Sequence, residues 1–154
     1  MSNTLRTPVP PPLLFFAVLG FGVVAAHYRP LVFLPEGLFV RLASGLPCFL
    51  AALGIGIAAF STFARNSTSA QFGEPVSRLV RSGPYRYSRN PLYVALLLVC
   101  LGFAFVLNNG WLLVGAPILW LALHRLVVAR EEHFLFRLFG AEYDSYRSEV
   151  RPWL

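Results

Sequence analysis

Residues 92–129 read LYVALLLVCLGFAFVLNNGWLLVGAPILWLALHRLVVA. Two apolar runs, 92–107 and 111–129, flank Asn108-Asn109-Gly110, a strong turn signal. Runs of this length approach the thickness of a bilayer core, so the stretch predicts a helical hairpin that crosses the membrane twice. The first run is slightly short, which would leave its turn shallow in the bilayer. The second carries Pro117 and two polar intruders, His124 and Arg125.

Working outward, two more spans emerge. Residues 9–26 carry no charge, and 18 residues of helix reach roughly 27 Å. Pro10, Pro11 and Pro12 suit the entry to this helix, because proline is tolerated in a first turn but not deeper. Residues 42–64 are again uncharged and long enough to span with tilt. Gly20 and Gly22, like Gly54 and Gly56, form GxG pairs, but no strand precedes them, so close helix packing is the expected role. The tail from Arg130 places apolar residues at 135, 138, 139, 143 and 146, an amphipathic helical pattern that Gly140 should break in two. This tail is expected to lie along the membrane surface or against the 65–91 loop. The fold class is therefore all-α: an integral membrane chain of about four transmembrane helices, with a C-terminal amphipathic helical tail and no Rossmann domain.

Composition agrees. Of 154 residues, 56% are hydrophobic and 13% charged, and mean hydropathy is +0.62. So much apolar surface on so short a chain would aggregate in water. A single membrane domain, 1–154, leaves no room for a soluble nucleotide-binding domain, so any chemistry must come from the helices and their loops. All 13 basic residues are arginine, against 7 acidic residues, for a formal charge of +6. Without a basic helix, zinc spacing or aromatic-rich sheet pattern, nucleic acid is not the expected partner; membrane lipids are. Cys48 and Cys100 lie in apolar stretches with no CxxC, and no metal-ligand cluster is visible. Most arginines fall in the 65–91 loop and the tail, so the loop and both termini are expected to be cytoplasmic, as in a multi-pass protein obeying the positive-inside rule.

Both ends of the hairpin then deliver polar residues to one side. One cluster runs from Arg81 to Tyr93 as RSGPYRYSRNPLY; the other is Arg130-Glu131-Glu132, followed by Tyr143 and Arg147. A loop rich in Gly and Pro leaves backbone groups free to bind a polar ligand. Paired glutamates accept from ribose hydroxyls or an ammonium group, and arginine forks match a carboxylate. The competing reading makes the arginines topology signals and headgroup contacts, with the glutamates satisfied by Arg81, Arg86 or Arg89. Glutamates at a membrane edge are costly unless paired.

The stretch LVRSGPYRYSRNPLY at 79–93 resembles the signature of isoprenylcysteine carboxyl methyltransferases, approximately L-V-x-x-G-x-Y-x-x-x-R-H-P-x-Y. After a helical hairpin that family has E-E-x-x-L and then F-G-x-E-Y-x-x-Y, matched here by EEHFL at 131–135 and FGAEYDSY at 139–146. The resemblance covers about residues 76–151. It implies a membrane methyltransferase that uses S-adenosylmethionine and leaves S-adenosylhomocysteine. It further implies a cofactor pocket made by Gly83, Pro84, Tyr85, Arg89, Asn90, Pro91 and Tyr93 with Glu131 or Glu132, closed by Tyr143 and Arg147. Glu132, Arg86 and Arg125 are the candidate catalytic residues, either arginine being able to orient an acceptor carboxylate. The acceptor would be a lipophilic small molecule or lipidated group bearing a carboxylate, thiol or amine. Residues 76–154 would form the cofactor half, and 1–75, with its two spans, the substrate side. The family's R-H-P is Arg89-Asn90-Pro91 here: Asn can donate a hydrogen bond as a neutral imidazole does, but it cannot carry a proton in acid–base work near neutral pH. The alternatives are a sterol-reductase-like enzyme using NADPH, against which the paired glutamates argue, and a non-catalytic scaffold that keeps the fold.

Overall fold

The computed structural model describes residues 9–65 and 78–154. The expected boundary between the two halves, at 75/76, and much of the 65–91 loop lie outside the described residues. Among the described residues six α-helices appear: α1 (Pro11–Tyr28), α2 (Leu38–Arg65), α3 (Pro91–Val106), α4 (Gly110–Ala122), α5 (Ala129–Phe139) and α6 (Ala141–Glu149). A 3-10 turn spans Gly83–Arg86, and a π-helical segment, Leu123–Val128, joins α4 to α5. No strand occurs among the described residues.

Among the described residues three helical stretches are long and apolar enough to cross a membrane: α1, α2 and the continuous run Gly110–Phe139. The fourth apolar helix, α3, has 16 residues. Proline supplies the start of α1 and α3, where a missing N–H costs nothing. α3 packs between α2 and α4, and α1 covers α4. The core gathers Phe15 of α1, Tyr93 and Cys100 of α3, and Ala116, Leu119, Leu123, Val127 and Val128 of the fourth stretch. Outward faces carry exposed Phe16, Phe21, Leu50, Leu53, Ile57 and Phe60. Such a surface is suited to lipid, in which apolar side chains lose nothing by exposure.

Three expectations need correction. The fourth helix does not stop at Ala129: it continues unbroken to Phe139, 30 residues or about 45 Å, and so outruns a hydrocarbon core of about 30 Å. α2 starts at Leu38 and takes Arg41 into its first turns. Of the four GxG glycines, Gly22 alone meets a neighbour: a Cβ there would lie 2.3 Å from Leu112, whereas Gly20, Gly54 and Gly56 face open space. Close helix approach falls instead on Gly45 and Gly102, where α2 and α3 meet: a Cβ on Gly45 would lie 3.0 Å from the Gly102 carbonyl oxygen.

The hairpin turn is tied down. Asn108 adopts φ 48°, a left-handed conformation that Asn tolerates. Its Oδ1 accepts from the amides of Phe33 (3.1 Å) and Leu34 (2.9 Å), and its Nδ2 donates to the Leu34 carbonyl (3.1 Å). Asn109 caps α4 by accepting from the Trp111 amide at 3.0 Å, and it donates to the Gly22 carbonyl at 2.9 Å. The Trp111 indole donates to the Arg29 carbonyl at 2.7 Å. At this end side chains close off backbone groups that helix termini would otherwise leave unpaired.

Candidate functional site

At the opposite end of the bundle the chain enters α3 through Gly83–Arg86 and leaves the fourth stretch through α5. Gly83 takes φ +61°, and a Cβ on it would lie 2.4 Å from Thr62 Oγ1 of α2. Glycine is therefore required both by backbone conformation and by close approach. Tyr85, buried, stacks edge-on to Phe63 of α2 with centroids 5.2 Å apart. The loop is thus seated against the end of α2 before it turns into α3.

The π segment governs what α5 presents. Leu119, Leu123 and Val127 are fully buried at four-residue spacing. In an α-helix that spacing drifts by about 40° per step, since each turn takes 3.6 residues. The wider π turn absorbs the drift, and such turns recur at functional sites. Glu131 and Glu132 follow on the inward side. Tyr93 donates its hydroxyl to Glu131 Oε1 at 2.6 Å, and Arg89 Nη2 lies 3.0 Å from Glu132 Oε1. The two clusters at the ends of the hairpin therefore meet.

This meeting leaves polar atoms over. The Arg89 side chain is 8% exposed, yet its Nε and Nη1 are buried with no hydrogen-bond partner, as is Arg81 Nε. Glu132 Oε1 faces Arg89 across the ion pair but completes no hydrogen bond. Buried donors without partners cost free energy, so their presence beside a carboxylate is a reason to look for a ligand.

The tail closes over the loop. Tyr146 donates to the Tyr85 carbonyl at 2.7 Å. Arg81 hydrogen-bonds the Glu142 carbonyl and lies over the Tyr146 ring, 5.7 Å from its centroid. Tyr143 is 1% exposed; burial, reinforced by Glu132, pushes its phenol up to about 12, with Arg89 and Arg147 opposing. Burial likewise raises the phenols of Tyr85 and Tyr146. All three are neutral donors near neutral pH.

The other residues singled out in the sequence take varied places. Pro91 is the buried first residue of α3, and Pro84 is half-buried in the 3-10 turn. Arg86 and Arg125 are exposed. Arg147 is exposed and pairs with Asp144 at 3.1 Å. Asn90 is buried and its Nδ2 donates to the Pro152 carbonyl at 2.8 Å. His124 lies face to face with Trp120 (centroids 5.7 Å, 4° between planes) and accepts from the Trp153 indole at 3.4 Å, so it is a packed histidine. Ser88, Tyr146 and the segment around Pro152 escaped the list of candidates: a lone serine and a tail proline give no periodic or motif signal, and their roles arise from contacts more than 60 positions apart. Among the described residues no group of three or more His, Cys, Asp or Glu could hold a metal ion.

Beside this site, α2 and α3 enclose an apolar groove of about 950 Å³, running from Phe49 and Val99 to Ser61, Ala64 and Leu92. Gly56, open on its free side, forms part of its wall. The groove's Ser61–Ala64 end adjoins Thr62 and Phe63, on which Gly83 and Tyr85 rest.

The family model for phospholipid methyltransferases matches residues 40–142. An uncharacterized protein of Haemophilus influenzae is 38% identical over 63 residues, 41% of this chain and 100% of that protein. The protein-S-isoprenylcysteine O-methyltransferase of Schizosaccharomyces pombe is 29% identical over 108 residues, 62% of this chain; the match spans 45% of that enzyme, less than half its length. No solved structure matches the chain.

Proposed function

The chain belongs to the phospholipid methyltransferase family, and from that premise we propose that it moves a methyl group from S-adenosylmethionine to a lipophilic acceptor at the cytoplasmic edge of the bilayer. It is an integral membrane protein of a methyltransferase family. The observation that carries the finer reading is Arg89. Its buried guanidinium faces the Glu132 carboxylate and keeps two N–H-bearing nitrogens without hydrogen-bond partners. That donor set fits a ligand bearing both a carboxylate and hydroxyl or ammonium groups, as this cofactor does.

In this reading Arg89 takes the carboxylate, and Glu131 or Glu132 accepts from the ribose or the amino group. Gly83, Pro84, Tyr85, Pro91 and Tyr93 form the wall, Tyr143 caps it as a neutral donor, and Arg147 stands at its rim. Tyr93 holds Glu131 by its 2.6 Å hydrogen bond and so fixes the carboxylate that would meet the ligand. The bound cofactor would supply an activated methyl group on a positively charged sulfur, to be taken up by a lone pair of the acceptor. Opposite charges merge when the acceptor is anionic, so the residues need to align and dehydrate the reactants more than to supply a strong base. Arg86 or Arg125, both exposed, would orient an acceptor carboxylate. If Arg86→Ala and Arg125→Ala each left turnover of a carboxylate acceptor unchanged, neither would have that role.

Residues 1–75 form the substrate side in this proposal, supported by the groove that α2 shares with α3. Both termini and the 65–91 loop lie in the cytoplasm, and the acceptor reaches the site through the bilayer. The test is transfer of labelled methyl from S-adenosylmethionine into a membrane extract, with identification of the labelled species. A labelled lipid or lipidated peptide is the expected result. Calorimetry that gave binding to NADPH and none to S-adenosylhomocysteine would overturn the proposal in favour of a reductase; binding of neither would leave a scaffold.

A further inference from the structure

Residues 151–153 bridge the two elements that carry the candidate site. On one side the Arg89 amide donates to the Arg151 carbonyl at 3.0 Å. The Pro152 carbonyl accepts from both Asn90 Nδ2 (2.8 Å) and Ser88 Oγ (3.2 Å). Ser88, 2% exposed, in turn accepts from the Asn90 amide at 3.1 Å. On the other side the Trp153 indole donates to His124 Nδ1 at 3.4 Å, and its ring lies 6.0 Å from that of Trp120. Trp153 also packs on the core that includes Leu123 and Val127. One short segment therefore fastens the loop that bears Arg89 to the helix that bears Glu131 and Glu132.

We infer that Asn90 is a positioning residue: its amide N–H pins the 151–153 segment as a strap that holds Arg89 opposite Glu132. Arg89 is gripped twice, by its backbone through Arg151 and by its guanidinium through Glu132. Without the Asn90 donor the half-buried Pro152 carbonyl keeps Ser88 alone, and the register of Arg89 loosens. The chemistry needed at position 90 is a neutral N–H donor. Histidine, present there in the methyltransferases that residues 79–93 resemble, supplies one; aspartate supplies only acceptors and would face the Pro152 carbonyl with charge. Neither cofactor contact nor proton transfer is required of Asn90. The effect on cofactor affinity rests on the function proposed above; the strap itself does not.

The experiment compares the full chain in lipid nanodiscs with its Asn90→Asp, Asn90→His and Trp153→Ala variants. Two quantities are measured: hydrogen exchange of the peptide containing the Arg89 amide, and affinity for S-adenosylhomocysteine. Asn90→Asp should lower protection of that amide about tenfold and weaken binding about tenfold, the scale of one lost hydrogen bond to a half-buried acceptor. Asn90→His should restore both to within about threefold. Trp153→Ala, which releases the strap from its other anchor, should also lower both and covers the case in which Asn90→Asp does not fold. Unchanged protection in Asn90→Asp or, should that variant not fold, in Trp153→Ala overturns the inference. So does an Asn90→His variant that keeps its protection and loses binding, since the side chain would then act on the ligand itself. If the unaltered protein binds no S-adenosylhomocysteine, the proposed function fails, and the strap is judged on hydrogen exchange alone.

Discussion

The two ends of the α3–α4 hairpin treat buried polar groups in opposite ways. At the turn, Asn108 and Asn109 answer amides and carbonyls of Phe33, Leu34, Trp111 and Gly22, and Arg41 Nε is the one unpartnered buried side-chain atom near that end among the described residues. At the other end Arg81, Arg89 and Glu132 keep buried atoms without hydrogen bonds although carboxylates lie beside them. The first pattern is that of a structural joint. The second supports the proposed ligand site, because groups that bind a ligand stay unsatisfied without it. The difference teaches that sidedness here concerns the pairing of polar groups as well as their number.

Substitutions that separate stability from binding can break or sharpen this contrast. The largest effect is expected from Asn108→Ala, which strips partners from two amides and a carbonyl and puts alanine at φ 48°. It should lower stability by about 3 kcal/mol in thermal unfolding in detergent, while the folded fraction binds S-adenosylhomocysteine normally. Loss of binding at unchanged stability would break the contrast. Glu132→Gln should do the reverse, weakening that binding about 50-fold, the scale of a lost charged partner, as read by calorimetry. A variant that merely melts earlier would make Glu132 a structural counter-ion to Arg89.

Gly83→Ala tests whether the loop must sit against α2. The left-handed backbone and the approach to Thr62 together should cost about 2 kcal/mol, seen as a lower unfolding midpoint. The smallest effect is expected in alkali. Tyr143 has its phenol raised from 10.0 to about 12, so the folded chain holds a proton that the unfolded chain releases. That stabilisation is fully present below pH 10 and is lost as pH rises through about 12. Tyr143→Phe should flatten part of the fall in unfolding midpoint over this range; an identical slope would mean that Tyr143 adds nothing to it.

Much of this was legible from residue order. Uncharged runs of bilayer length, Pro10–Pro12 and Asn108-Asn109-Gly110 mark the helices and the turn, and Gly140 does separate α5 from α6. The family could be read because its motifs are local strings on either side of a hairpin. Other features were not legible. The end of the fourth helix was not legible, because the polar Arg130, Glu131 and Glu132 close the apolar run, whereas an unbroken helix carries them onward. Close packing fits Gly22 but not Gly20, Gly54 or Gly56, because a glycine's role depends on what faces it: Gly56 borders a groove, and Gly45 and Gly102 take the close contact.

The sequence by itself determined that the chain lies in a membrane, that its polar residues collect at the ends of a hairpin, and which motifs they form. Hydropathy and turn chemistry act over a few neighbouring residues, so they can be read along the chain. The tertiary structure alone decided which partners meet: Arg89 with Glu132, Tyr93 with Glu131, and Asn90 with Pro152. Those pairs join residues 38 to 62 positions apart. They depend on how a π turn rotates one helix and on where a tail returns, and neither leaves a local trace.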